Sequence, residues 1–279
     1  ATDDMNRLEI EEQYRAPGQV QPVIPGSAIK GALRTALLAT RVEGILGKAP
    51  GALDGFLQWR ERFDSKFQQT VLRYSKPNDD PFRVLSIPDC PFDPRGTQLV
   101  GRLFQYKPFR RDGQDFETIA INAEVLRGML CDSEVTGILE VIEHNEINQF
   151  SAPEYGALKN KGGRKVIDKP INLKEVLEAC DKFYYGQVFY EEYNKFYTTS
   201  EHASVKNIAD KLADLVDELH DHGEYLIRIG RWSHVESVTM KGLRNPRSRN
   251  GYGKTRTLFE YEGTYLPMGW CTLKMEDNN

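Results

Sequence analysis

The chain has 279 residues, 39% of them hydrophobic and 28% charged, a composition that supports a real core and excludes a disordered or collagen-like polypeptide. No apolar run approaches the ~20 residues that span a bilayer, so no membrane partner is expected. Cysteines 90, 131, 180 and 271 show no zinc spacing, and nothing resembles a signal peptide, which points to a reducing, cytoplasmic setting.

The net charge of −4 hides a segregation along the chain. Residues 13–42, 94–111, 155–167 and 237–259 contain no acid, yet they hold about half of the 37 lysines and arginines. An acidic body with basic segments is a footprint for a polyanion; solvated loops without acids are the plainer reading of any one window.

Residues 1–21 are polar, carry Pro17 and Gly18, and read as a tail or linker. A helix opens at Ser27 and stops near Gly47. Phe56, Trp59, Phe63, Phe67 and Val71 recur at helical spacing over 54–74 and predict a core-facing helix. From 82 to 143, FRVLSI, TQLVGRLFQY, ETIAINAEV and TGILEVI read as strands of one sheet. Residues 151–170 form a basic loop, and helices follow over 172–198 and 204–222. Strand character returns in EYLIRIGRW, LFEYEG and WCTLKM, so the fold class is α+β with a helical insertion.

The helix start IPGSAIKGALRTALL carries the sharpest candidate site. Ser27 is placed to cap it, Ile29, Leu33, Ala36, Leu37 and Thr40 share one arc, and Lys30, Arg34 and Arg41 line the arc beside it. Ala28, Gly31, Ala32, Thr35 and Ala39 form a third face that admits close approach. Free amides at a helix N-terminus beside Lys30 and Arg34 suit a phosphate, and an ordinary capped helix explains the same residues equally well.

LRNPRSRNGYGKTRT, residues 243–257, ends like a P-loop but has Ser248 where that motif needs glycine and a strand where it needs a helix. It reads as a non-hydrolysing phosphate grip or as a surface loop. In VGRLFQYKPFRR, Phe104 and Tyr106 share a strand face on which a base can stack, although burial is the commoner fate of such rings. The five histidines have no metal-ligand spacing, and only His234 is a candidate general base. Asp79, Asp80 and Asp89 sit beside turns, with capping as their default role.

IPGSAIKGALRTALL, DPFRVLSIPD, RIGRW and GKTRTLFEYEGTYLPMGWCTLKM, in that order from about residue 22 to 274, resemble the RAMP superfamily of CRISPR effector subunits. Within it they look most like the fifth subunit of the type III-A, or Csm, complex. The resemblance implies a ferredoxin-like, RRM-related core over 22–150, an insert over 151–223 and C-terminal strands over 224–279 that complete the core. The N-terminal part of that core is expected to be missing, since only some 20 residues precede the PGS element. The resemblance further implies a non-catalytic subunit at the 3′ side of the CRISPR RNA, in antiviral defence, with no cofactor and no metal. Its expected partners are CRISPR RNA, target RNA and the neighbouring RAMP backbone and small subunits. A guide-RNA backbone site carries over to Gly26, Ser27, Lys30, Gly31 and Arg34, with Lys254, Thr255 and Arg256 close to it; Arg231 and the cationic loop residues Arg244, Arg247 and Arg249 are the further RNA-binding candidates. The alternative is a RAMP endoribonuclease that processes CRISPR RNA precursor, with His234 as base and 243–256 holding the scissile phosphate.

Overall fold

The computed structural model describes residues 10–57, 65–100, 103–107, 116–119, 122–126, 142–143, 171–198, 200, 202–240, 243 and 253–275. The basic loop at 151–170, and Trp59 and Phe63 of the expected second helix, lie outside the described residues. The architecture is α+β.

Residues 10–21 are not a free linker. Ile10–Glu11 (β1) pairs in parallel with Asn122–Leu126 (β8), Arg15 bridges to Pro22, and the Val23 amide donates to the Tyr14 carbonyl. Val23–Ile24 (β2) then leads into α1, Gly26–Lys48, whose bounds lie within a residue of the sequence reading.

The central strands do not form one sheet. Thr97–Val100 (β5) pairs with β8, whereas Leu103–Tyr106 (β6) and Phe116–Ile119 (β7) join Arg256–Tyr261 (β11) and Thr264–Pro267 (β12) in an antiparallel sheet ordered β12-β11-β6-β7. The run TQLVGRLFQY therefore holds two strands that part company, a break that alternation alone does not mark. Glu262 and Gly263, with φ of 48° and 76°, turn the β11–β12 hairpin, a two-residue connection that needs left-handed backbone.

Both faces of that sheet are covered. Leu103, Phe259 and Leu266 face a small cluster with Ile208 and Met268, while Tyr106 and Leu258 join the main core. Tyr106 stacks on Phe116 at 4.9 Å, and Phe104 meets Phe116 and Tyr265 edge-on. The two rings considered for base stacking thus both pack on Phe116, and Tyr106 has no exposed surface.

A long helix runs from Leu173 through α4 (Leu173–Cys180), π turns at Asp181–Phe189, the short α5 (Tyr190–Glu192) and further π turns at Tyr193–Tyr197. It packs along α1. Ala32 and Ala39 of the small-residue face of α1 are buried, the Tyr184 hydroxyl donates to the Ala32 carbonyl at 3.1 Å, and Arg41 pairs with Glu175 at 2.9 Å. What those small residues let approach is this helix. Ala203–Asp221 (α6) closes the layer, with Val205, Ile208, Leu212 and Val216 inward.

Tyr225–Arg228 (β10) pairs with Trp270–Leu273 (β13) and brings a buried ion network to the junction of helices and strands. Glu192, on the long helix, has no exposed surface; its Oε2 accepts from Arg228 and forms an ion pair with Arg256, whose Nε lies 2.7 Å away. Tyr197 donates to its Oε1 at 2.7 Å. A π turn bonds residues five apart, and Glu192 and Tyr197 are five apart, so the rewinding puts both on the buried side. Arg256 also reaches Glu236 of α7 (His234–Val238) at 3.1 Å, and lies 3.7 Å over the Phe196 ring. Arg228 donates to the Met268 carbonyl at 3.2 Å and lies over Trp270 at 4.6 Å. Burial alone pushes the Glu192 carboxyl up, but the two guanidiniums outweigh it and hold it at about 2.

Removing one member of such a network strands the others. Glu192→Ala is expected to lower unfolding free energy by about 3–5 kcal/mol in urea titrations, because Arg228 and Arg256 lose their shared counter-charge. Glu192→Gln, which keeps the shape, is expected to lose less.

Candidate nucleic-acid interface

The helix-start site does not have the open form that the sequence suggests. Pro25, not Ser27, occupies the cap position, and its carbonyl accepts from the Ala28 and Ile29 amides at 2.8 and 3.2 Å. The Gly26 amide donates to Asp89 Oδ1 at 2.8 Å, so a carboxylate already stands where a phosphate was expected. The Ser27 side chain makes no capping bond and is exposed.

The cations of α1 are also engaged. Lys30 donates to the Leu85 carbonyl at 2.6 Å. Arg34 pairs with Asp80 at 2.7 Å and lies 4.5 Å over Phe82. The sequence segments PGSAIKGALR and DPFRVLSIPD therefore dock on each other, with α1 held along the turn Pro81–Val84 and the strand Leu85–Ser86 (β3). The acids act as their turn positions suggest: Asp80 Oδ1 accepts from the Phe82 amide at 2.9 Å, and Asp79 accepts from the Ser75 hydroxyl at 3.0 Å.

Two glycines divide the work. A methyl group at Gly26 collides with the backbone carbonyls of Ile87 and Pro88, so this position sets the approach of the two segments. Gly31 is exposed and faces open space, so the tight packing that sequence suggested for it does not occur; that role is Gly26's.

At the second site the picture is mixed. Arg244, Arg247 and Arg249 lie outside the described residues. Gly253, with φ of 69°, abuts Glu236 and accepts from Lys195, so the start of GKTR is tied to the ion network. Arg256 is 1% exposed and belongs to that network, which corrects its assignment as an RNA contact. Lys254 is exposed and Thr255 half-buried. Arg231 keeps 59% of its side chain exposed, pairs with Glu11, and lies over Trp232 at 4.9 Å. Among the described candidates, Ser27, Gly31, Arg231 and Lys254 are exposed, and Lys30, Arg34 and Thr255 partly so, with the partly exposed Arg83 beside Arg34.

His234 is poorly suited to act as a general base. Its Nε2 accepts from the Thr257 amide at 3.3 Å, and burial, followed by Arg228 and Arg256, lowers its pKa to about 3. It sits at φ 58°, a left-handed position at the head of α7. Among the described residues no group of three or more His, Cys, Asp or Glu is arranged to hold a metal ion, and no helix is long and apolar enough to cross a membrane.

Glu192 and Glu236, the buried partners that take Arg256 out of the interface, are the residues that motif reasoning missed. A signal for Glu192 existed: Val188, Phe189 and Phe196 stand three and four residues away, so helical spacing puts it on an apolar face. Glu236 carried no comparable mark.

A sequence model of the RAMP superfamily matches residues 8–254. The chain belongs to the RAMP superfamily. The RAMP chain is similar, over 95% of its length and 75% of the other, to a chain of a cryo-EM structure of a Csm–crRNA–target RNA ternary complex in a type III-A CRISPR–Cas system, with a TM-score of 0.59 and 19% identity. It is likewise similar to the crystal structure of T. onnurineus Csm5, over 94% of this chain and 73% of that one, with a TM-score of 0.50 and 20% identity. At these identities the likeness is one of fold. A search of curated proteins returns no match.

Gly26→Ala is expected to destabilise this RAMP protein by more than 1 kcal/mol in thermal melts, whereas Gly31→Ala is expected to stabilise it by about 0.5–1 kcal/mol, as an exposed helical glycine should. The pH dependence has a defined sign. The unfolded chain protonates His234 near 6.5, the folded one only near 3, so stability falls as pH drops through that window. His234→Asn, which tolerates left-handed backbone, is expected to flatten the slope of melting temperature against pH between those values.

Proposed function

We propose that this RAMP protein is a non-catalytic RNA-binding subunit of a type III-A CRISPR effector ribonucleoprotein, seated at the 3′ side of the CRISPR RNA. The observation that carries the reading is the fold shared along 95% of the chain with a component of a Csm–crRNA–target RNA complex. CRISPR RNA, target RNA and neighbouring RAMP backbone and small subunits are the partners in this reading, and a ferredoxin-like core is part of it. Exposed Lys254 and Arg231 supply backbone contacts, which confer little sequence preference and a steep salt dependence.

The absence of a catalytic role is supported by His234, whose ring nitrogen is engaged and whose low pKa leaves it a weak base at neutral pH. A precursor-processing endoribonuclease needs a base and an acid at one phosphate, and among the described residues considered for it His234, Gly253 and Arg256 are engaged within the fold.

Arg231→Ala with Lys254→Ala, introduced into the assembled complex, is expected to weaken CRISPR RNA retention and to make the log–log salt slope shallower by about 1.4, at ~0.7 per lost contact on single strands. Unchanged retention and slope would remove these residues from the interface. Incubation of the chain with labelled precursor RNA is expected to leave it intact; specific cleavage abolished by His234→Ala would establish the nuclease instead.

A further inference from the structure

Around Asp80 the cations outnumber the acids. Lys30 and Arg34 project from α1, and Arg83 from the turn Pro81–Val84. Arg34 and Arg83 both act on Lys30: its ammonium is lowered from its ordinary pKa by burial, then by Arg34 and by Arg83, and Asp80 alone opposes them. Asp80 is itself divided, with Oδ1 on the Phe82 amide at 2.9 Å and Oδ2 on Arg34 at 2.7 Å. Arg83 donates to the Asn78 carbonyl at 2.7 Å and makes no ion pair among the described residues. Arg34 also reaches Gln68 at 3.4 Å, and the Tyr74 hydroxyl is raised by burial and by Asp80. The neighbouring Asp79 is turned to Ser75.

The pair is not sealed. Arg34 and Asp80 keep 21% and 16% of their side-chain surface open, unlike Arg256 at 1%. A guanidinium held by one oxygen of a carboxylate retains donors for a second anion, and an ammonium with one carbonyl partner retains two.

We infer that Asp80 is an internal stand-in for an RNA phosphate, which takes Arg34 from it and is flanked by Lys30 and Arg83. The inference rests on the RNA-binding reading above and adds a regulator to it: Asp80 holds the site closed until a stronger polyanion arrives. Exchange leaves the guanidinium paired throughout and returns only the carboxylate to water, so the site opens without stranding a charge. Asp80 can keep its bond to the Phe82 amide during the exchange.

The test compares binding of a labelled single-stranded RNA to the full chain across a salt series. Asp80→Asn keeps the amide acceptor and removes the competing charge. It is expected to tighten binding roughly 3- to 10-fold at low salt, with the gain shrinking as salt rises. Asp79→Asn makes the same change in net charge away from Arg34 and is expected to fall well short of that gain, and Asp80→Glu to bind like the wild type. Arg83→Ala, which leaves the core untouched, is expected to weaken binding and make the salt slope shallower by about 0.7 at an unchanged melting temperature. Equal effects of Asp80→Asn and Asp79→Asn, or an Arg83→Ala slope equal to wild type, would overturn the inference while the RNA-binding reading stands. If Asp80→Asn does not fold, the Arg83→Ala slope decides. A wild-type chain that binds no RNA, alone or in the complex, would remove both.

Discussion

A carboxylate with no exposed surface, clasped by two arginines, ties this fold together. Glu192 comes from the long helix, Arg228 from β10, Arg256 from β11, and through Arg256 the network reaches Glu236 on α7. Each charge would be strongly penalised alone in a protein interior, so the four segments must arrive together or not at all. Phe196 and Trp270 cover the two guanidiniums and exclude water, and Gly269 lets the chain before Trp270 run close under the Ile229 carbonyl. The motif segments RIGRW, GKTRT and PMGW converge on this cluster or its rim.

A second lock holds the other end. Gly26, Lys30 and Arg34 of α1 meet Asp89, Leu85 and Asp80 along one surface. Between the locks, α1 lies against the long helix through Ala32, Ala39 and the Arg41–Glu175 pair. The residues that make the chain look like a RAMP protein are therefore largely its scaffold. Contact with RNA falls to what the scaffold leaves exposed, and at Arg34 to a pair that is only partly closed.

Much of the architecture is legible in the residues, because helix starts, glycine stops and apolar spacing are local. The bounds of α1, of the long helix and of α6 follow from them to within a few residues. Sheet partnership is not local, which is why the two halves of TQLVGRLFQY look like one ribbon and belong to different sheets. The charge windows mislead for the same reason. A stretch without acids looks unpaired in one dimension, yet Arg34, Arg41 and Arg256 find Asp80, Glu175 and Glu192 from distant parts of the chain. Glycine identity was readable but its assignment was not: Gly26 and Gly31 look alike in sequence, and only the position of the 87–88 backbone separates them.

Ultraviolet cross-linking of the assembled ribonucleoprotein, followed by peptide mapping, tests the central claim most directly. The account predicts guide-RNA adducts on peptides that contain Lys30, Arg83, Arg231 or Lys254, and none on the peptide that contains Glu192. A complex that retains this chain and its guide, with adducts on neighbouring subunits only, would contradict it.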